Sequence, residues 1–230
     1  MQLQHFTTTR TARYISLGEP GPGIQHIWIC LHGREQNLLD FASQLVNLDT
    51  PERLLILPEG LSRYALPALE TTPEAAATVA SWFAPESVQA DLADLTTYLD
   101  GLAAQVLAAC PPHTPVTVLG YGHGAAAACR WLAHGRTPYE RLILYASIFP
   151  AEIDRQAVLA SLPKQPVTVV TTTIDTFTPE VAGEGLVQDL QMAGLPAQLR
   201  YVSEGGLTLA ALGAASEAPA EPSAARPATS

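Results

Sequence analysis

The chain has 230 residues, 47% of them hydrophobic, with 22 acidic residues against 12 basic ones and a formal net charge of −10. That length suffices for one α/β domain with a substantial core, and that charge repels phosphate backbones, which argues against a nucleic-acid role. No apolar stretch reaches the roughly 20 residues of a membrane span, the N-terminal MQLQHFTTTR lacks the apolar core of a signal peptide, and Cys30, Cys110 and Cys129 lie scattered in apolar surroundings, so we expect a cytoplasmic protein with reduced core thiols.

In chain order, TARYISLG (11–18) predicts an edge strand. IQHIWICL (24–31) and RLLILP (53–58) are apolar on both faces, as central strands of a mostly parallel sheet are. Residues 61–86 form the longest irregular stretch, broken by Pro67, Pro73 and Pro85, and loops of that length are usually functional or mobile. Val88, Leu92, Leu95, Leu99, Leu102 and Val106 recur at helical spacing up to Cys110, where Pro111 and Pro112 stop the pattern. PVTVLG (115–120) predicts a strand that runs into a glycine turn, and a helix follows to about Gly135. RLILYAS (141–147), PVTVVT (166–171) and AQLRYVS (197–203) predict further strands. A helix after TPE (178–180) would be capped by Thr178, with Pro179 in its first turn. Alternation of this kind predicts one α/β domain over residues 1–212, a mostly parallel twisted sheet with helices on both faces. The tail at 213–230, rich in Ala, Pro and Ser, has almost nothing to bury and reads as disordered.

The turn VLGYGHGAAAA (118–128) has the form of a strand, a tight bend and a helix. Gly120, Gly122 and Ala125 match the Gly-x-Gly-x-x-Gly/Ala spacing that lets a backbone approach a pyrophosphate. That motif belongs at the first strand and wants an acid at the end of the next one. Here Glu140 precedes RLILYAS and Ser147 ends it, so no dinucleotide and no other cofactor is expected. The second use of such a turn is the nucleophile elbow, Gly-x-Ser-x-Gly. Gly120-Tyr121-Gly122-His123-Gly124 has that frame with Gly122 at its centre.

Other segments fall in order around it: CLHGREQNLLDF (30–41), ILPEGLSRY (56–64), ASWF (80–83), GHGAAAACRWLAHG (122–135), TTTIDTFTPE (171–180) and SEGGLTLAAL (203–212). Together, over roughly residues 20–211, they resemble the phospholipase/carboxylesterase-like branch of the α/β-hydrolases, and most of all its small bacterial serine esterases. The resemblance implies the α/β-hydrolase fold. It places the nucleophile position at Gly122, the triad acid at Asp175 and the triad histidine position at Leu207. Glycine has no side chain to attack with, leucine cannot accept a proton, and no histidine follows His134. The usual acyl-enzyme route is therefore closed. Glycine at an elbow relieves the roughly 1–3 kcal/mol that a strained backbone costs other residues, and Leu207 exchanges a polar ring for apolar burial.

The resemblance also implies an oxyanion site built from the backbone N–H groups of Arg34 and His123, which needs neither lost side chain. The Arg34 side chain would either be solvated or, turned inward, add its charge to that site. Asp175 is either the remnant acid or a turn residue ahead of a helix. His123 would open a helix beside the site or act as a base for direct water attack. His32, Tyr121 and Trp82 are candidates to line the pocket, with a structural role in the loop for His32 and core packing for Trp82 as the alternatives. His32, His123 and Asp175 could in principle give a metal three ligands, but their spacing does not support it and no metal is expected. The expectation is a non-catalytic esterase-like protein whose pocket binds a small carbonyl or carboxylate ligand or a protein partner. The alternative is a weak ester hydrolase without a serine nucleophile.

Overall fold

The computed structural model describes residue 4 and residues 6–66, 78–172 and 180–202. The sequence positions Asp175 and Leu207 lie outside them. The chain enters through β1 (Tyr14–Leu17), then β2 (His26–Leu31), helix α1 (Leu38–Leu45), β3 (Arg53–Pro58) and a hairpin of β4 (Ser62–Ala65) and β5 (Thr78–Ser81). The long helix α2 (Val88–Ala108) leads to β6 (Val116–Tyr121), α3 (His123–His134) and β7 (Arg141–Tyr145). Then come α4 (Arg155–Ala160), β8 (Val167–Thr172), α5 (Glu180–Met192) and β9 (Ala197–Val202).

Seven strands form one sheet in the order β1-β3-β2-β6-β7-β8-β9. Only β1 is antiparallel, pairing Tyr14 with Pro58 along the edge, and every other pairing is parallel. Parallel strands covered on both faces need side chains that are apolar on both faces, and Ile27 through Leu31 and Leu54 through Leu57 are all buried. One face packs against α2, α3, α4 and α5, with Leu92, Leu95, Leu99, Trp131, Leu159 and Leu186 in a common core. The other face carries α1, with Phe41 and Leu45 against Trp28, Leu55 and Tyr145. This is the α/β sandwich that the alternation of elements predicts.

Several expectations change in detail. Residues 61–86 are not wholly irregular, because β4 and β5 pair antiparallel from Ser62↔Ser81 to Ala65↔Thr78. Strand β4 is mostly exposed, so it lacks the buried alternation by which a strand is recognised. Strand β7 stops at Tyr145 rather than Ser147, because Ala146 turns the chain with φ 48°. Helices α1 and α4 are short; Asn37 and Asp154 cap them by accepting backbone N–H bonds.

The order of the strands locates the site. From β2 the chain passes over the α1 face to β3, whereas from β6 it passes through α3 on the opposite face to β7. Neighbouring parallel strands whose connections leave on opposite faces open a crevice beyond their carboxyl ends. The loop after Leu31 and the turn after Tyr121 meet there.

Candidate functional site

Gly122 sits between β6 and α3 with φ 56° and ψ −120°, a left-handed conformation that a residue with a Cβ adopts only under strain. Its N–H donates to the Tyr145 carbonyl at 3.0 Å, and its own carbonyl accepts from Ala125 and Ile148, each at 3.1 Å. The turn is thereby tied to the end of β7 as well as to its own helix. The flanking glycines have a different reason. A Cβ on Gly120 would stand 2.5 Å from the Ala125 Cα, and one on Gly124 would collide with the carbonyl oxygens of Leu31 and His32. These close approaches, with Ala125, Ala126, Ala127 and Ala128 buried along α3, let the helix press onto the sheet. At Gly122 a Cβ would meet only the Gly33 Cα, at 3.6 Å, an ordinary contact. The elbow frame is intact, and the space for its side chain is open.

The loop after β2 is held by side chains. His32 is fully buried. Its Nε2 accepts from the Gly60 N–H at 3.0 Å, which leaves the proton on Nδ1, where it is donated to the Gly33 carbonyl at 2.6 Å. Burial pushes its pKa down to about 4, so the ring is neutral at pH 7. The imidazole stacks on the Trp82 ring at 4.6 Å, and the indole Nε1–H donates to the His32 carbonyl at 2.7 Å. The Gly33 N–H donates to the Gln36 Oε1 at 2.7 Å, and the Gln36 carbonyl accepts from Ala80 in β5 at 3.1 Å. His32 and Trp82 thus lie within the wall that supports the loop, their polar atoms engaged with backbone.

The N–H groups of Arg34 and His123 have no acceptor among the described residues. The Arg34 side chain lies at the surface, 62% exposed, and pairs with Glu35 at 3.3 Å. His123 is the first residue of α3, and its ring stacks on Phe83 at 6.1 Å. Burial and the nearby Arg34 charge lower its pKa, against the opposing pull of Glu35 and Glu152. Tyr121 packs against Gly33 and neighbours Phe41 and Tyr145. The geometry brings Gly122, Gly33, Arg34, His123, Tyr121, His32 and Trp82 to one end of the sheet. Among the described residues, no group of three His, Cys, Asp or Glu side chains could hold a metal ion, and His32 has both ring nitrogens engaged.

Sequence reasoning missed two features here. Glu59, just before the Gly60 that binds His32, is buried yet charged. Arg13 Nε donates to it at 2.7 Å and Arg63 Nη1 at 3.1 Å. Burial opposes its ionisation, but the hydrogen bonds from the two arginines outweigh that and hold the carboxyl below the ordinary range. Arg63 lies only four residues on from this acid, but a lone acid in ILPEGL gives no signal of Arg13, 46 positions before it. The second is Ser147, whose buried hydroxyl has no hydrogen-bond partner among the described residues, one residue before the Ile148 that bonds the elbow.

No protein-family model matches the sequence, and no curated protein does. Solved structures do resemble it. Esterase PE8 superposes with a TM-score of 0.63 at 17% identity, over 89% of this chain and 94% of the esterase. A phospholipase/carboxylesterase from Dyadobacter fermentans gives 0.60 at 17% identity, over 88% and 92%. The carboxylesterase of Bacillus cereus gives 0.58 at 16% identity, over 89% and 91%. At such identities the likeness speaks for the fold, and it extends over nearly the full length of both partners. The chain has the α/β-hydrolase fold that these esterases share.

Proposed function

We propose that this protein is a non-catalytic relative of the esterases, which uses the backbone half of an esterase site to bind a small carbonyl or carboxylate ligand. One observation carries the reading. Gly122 keeps the elbow backbone with φ 56°, has no nucleophile to offer, and stands beside two backbone N–H groups, those of Arg34 and His123, without acceptors among the described residues. Amides of this kind at a helix N-terminus favour an oxygen carrying negative or partial negative charge. Leu207, at the position where the resemblance expects the triad histidine, has no basic atom. Asp175, the remaining triad position, then serves no proton relay.

Two measurements test this reading. Purified protein is assayed on short-chain p-nitrophenyl esters beside the double variant Gly122→Ser/Leu207→His. The natural protein is expected to show no saturable turnover, and the double variant to gain it. Butyrate titrated into ¹⁵N-labelled protein is expected to shift the Arg34 and His123 amides together. Saturable hydrolysis by the natural protein would overturn the non-catalytic reading, and butyrate leaving both amides unmoved would overturn the ligand reading.

The second reading is a weak ester hydrolase. His123, with its pKa lowered beside the elbow, supports it, because a neutral imidazole can take a proton from water. Enzymes stripped of their triad retain about 10³–10⁴-fold acceleration over water from the oxyanion site and binding. On this reading turnover is detectable in the natural protein and disappears in His123→Ala.

A further inference from the structure

We infer that His32 and Trp82 are positioning residues, and that the tautomer of His32 sets the direction in which the Arg34 amide points. This deepens the ligand-binding reading above and rests on it for the identity of the site. Two peptide planes transmit the constraint. In a trans peptide the carbonyl and the following N–H point in opposite directions. The Gly33 carbonyl is drawn to His32 Nδ1 at 2.6 Å, so the N–H of Arg34, across the same plane, is turned away from the imidazole. Nδ1 can hold that carbonyl only while it carries the proton. It carries the proton because Nε2 is occupied as an acceptor by the Gly60 N–H at 3.0 Å.

Trp82 fixes the remaining freedom. Its ring, stacked at 4.6 Å with 29° between planes, holds the imidazole plane. Its Nε1–H anchors the His32 carbonyl at 2.7 Å, so the preceding peptide cannot turn over. Gly60 is itself packed tightly against β5, for a Cβ there would collide with the Ser81 carbonyl, and Glu59 beside it is clamped by Arg13 and Arg63. The direction of one N–H in the site is thus fixed by a chain of hydrogen bonds that includes no side chain of a catalytic triad.

Two isosteric substitutions separate positioning from simple support. The side-chain amide of asparagine places an N–H donor where Nδ1 stands, and that of glutamine places an oxygen acceptor where Nε2 stands. His32→Asn keeps the bond to the Gly33 carbonyl and loses Gly60, whereas His32→Gln keeps Gly60 and loses the Gly33 carbonyl. With butyrate as the probe, read at the Arg34 and His123 amides, His32→Asn should stay within about twofold of the natural affinity. His32→Gln should weaken it by about fivefold or more, the equivalent of one hydrogen bond. Equal loss in both variants, with equal loss of stability, would show a merely structural histidine and overturn the inference.

Trp82→Phe keeps one aromatic ring against His32 and removes the Nε1–H together with the second ring of the indole, so it serves where a histidine variant does not fold. Relaxation dispersion at the Arg34 amide is expected to be absent in the natural protein and to appear in this variant while the His123 amide stays quiet. An Arg34 amide with unchanged shift and no dispersion in Trp82→Phe would also overturn it. If the natural protein gives no butyrate response at all, the ligand reading fails by itself, and the dispersion comparison still decides the positioning role.

Discussion

At the carboxyl end of β2 the chain is shaped by side chains: His32, Trp82 and Gln36 each take up a backbone group of the loop, and Gly60 answers from below. At the carboxyl end of β6, next to it, the chain is shaped by the lack of side chains. Gly120 and Gly124 allow backbone to touch backbone, and Gly122 takes a conformation that other residues resist. The contrast explains how the elbow can hold its shape with no side chain at its centre. Nothing in the elbow hangs on the residue at its centre beyond φ and three main-chain hydrogen bonds, and glycine supplies both. The neighbouring loop has no such tolerance, since deleting any of its side chains leaves a buried backbone polar group without its partner.

The strongest way to break this contrast is at Gly124, where the elbow's tolerance ends. A Cβ there collides with the carbonyl oxygens of Leu31 and His32, both main-chain atoms of a central strand and its loop, which cannot give way cheaply. Gly124→Ala should cost roughly 3 kcal/mol or more, at the top of the range for overpacking, measured as a fall in the urea midpoint at unchanged slope. A cost below about 1 kcal/mol would mean that α3 does not need its close seat on β2.

Acid attacks the other turn. His32 has its pKa lowered to about 4, chiefly by burial, against about 6.5 in an unfolded chain. Between those values the unfolded chain binds a proton that the folded one refuses. The stability associated with a neutral His32 is therefore complete above pH 6.5, declines as the pH falls, and is gone near pH 4. The loss from this group amounts to about 3 kcal/mol. Urea midpoints measured from pH 7 to pH 4 should fall steeply, and should fall less in His32→Asn, which does not titrate there. Parallel slopes in the two proteins would remove His32 as the acid-sensitive group.

The same contrast separates what a reader of the sequence could see from what only the fold reveals. Runs such as HIWICL and RLLILP are apolar on both faces, and the spacing from Val88 to Val106 is helical, so the sheet and α2 were legible. The elbow was legible because glycine spacing is a backbone requirement written directly in residue type. The loop was only partly so. His32 could be marked as a structural residue of its loop, but its partners Gly60 and Trp82 lie 28 and 50 positions away. No local pattern joins them. Strand β4 gave no alternation because it is mostly exposed, and β7 ends two residues early, at Tyr145, because the next residue, Ala146, has a positive φ that no composition rule anticipates. Glu59 is charged and buried at once through Arg63, four residues on, and Arg13, 46 positions before it. Asp175 and Leu207 lie outside the described residues.

A smaller effect is expected at the elbow's centre. Gly122→Ser meets no steric obstacle, its Cβ touching only the Gly33 Cα at 3.6 Å, but it must adopt φ 56°. The cost should fall at roughly 1–3 kcal/mol, and Gly122→Ala should cost the same, since the strain belongs to the Cβ rather than to the hydroxyl. Equality of the two variants in urea midpoint is the check. If serine proved cheaper than alanine by more than about 1 kcal/mol, its hydroxyl would be forming a hydrogen bond in the elbow, and the site would hold a partner for a nucleophile after all.

The smallest effect sharpens the comparison most, because it asks whether the site binds through backbone or through charge. Arg34 contributes both an amide and a guanidinium, and the guanidinium points to solvent in a surface pair with Glu35. Surface pairs of this kind contribute about 0–1 kcal/mol, so Arg34→Ala should leave the urea midpoint nearly unchanged. The variant retains an N–H at position 34, on a peptide plane still held by His32. Butyrate should therefore shift amides 34 and 123 with an affinity within about twofold of the natural protein, well under the effect of losing one hydrogen bond. His123 should report the missing charge on its own: Arg34 helps to depress its pKa, so the imidazole titrates at higher pH in the variant. A rise at His123 with butyrate affinity preserved would assign binding to the amides. A rise accompanied by collapse of binding would assign it to the guanidinium, and the backbone half of the site would then be shape without affinity.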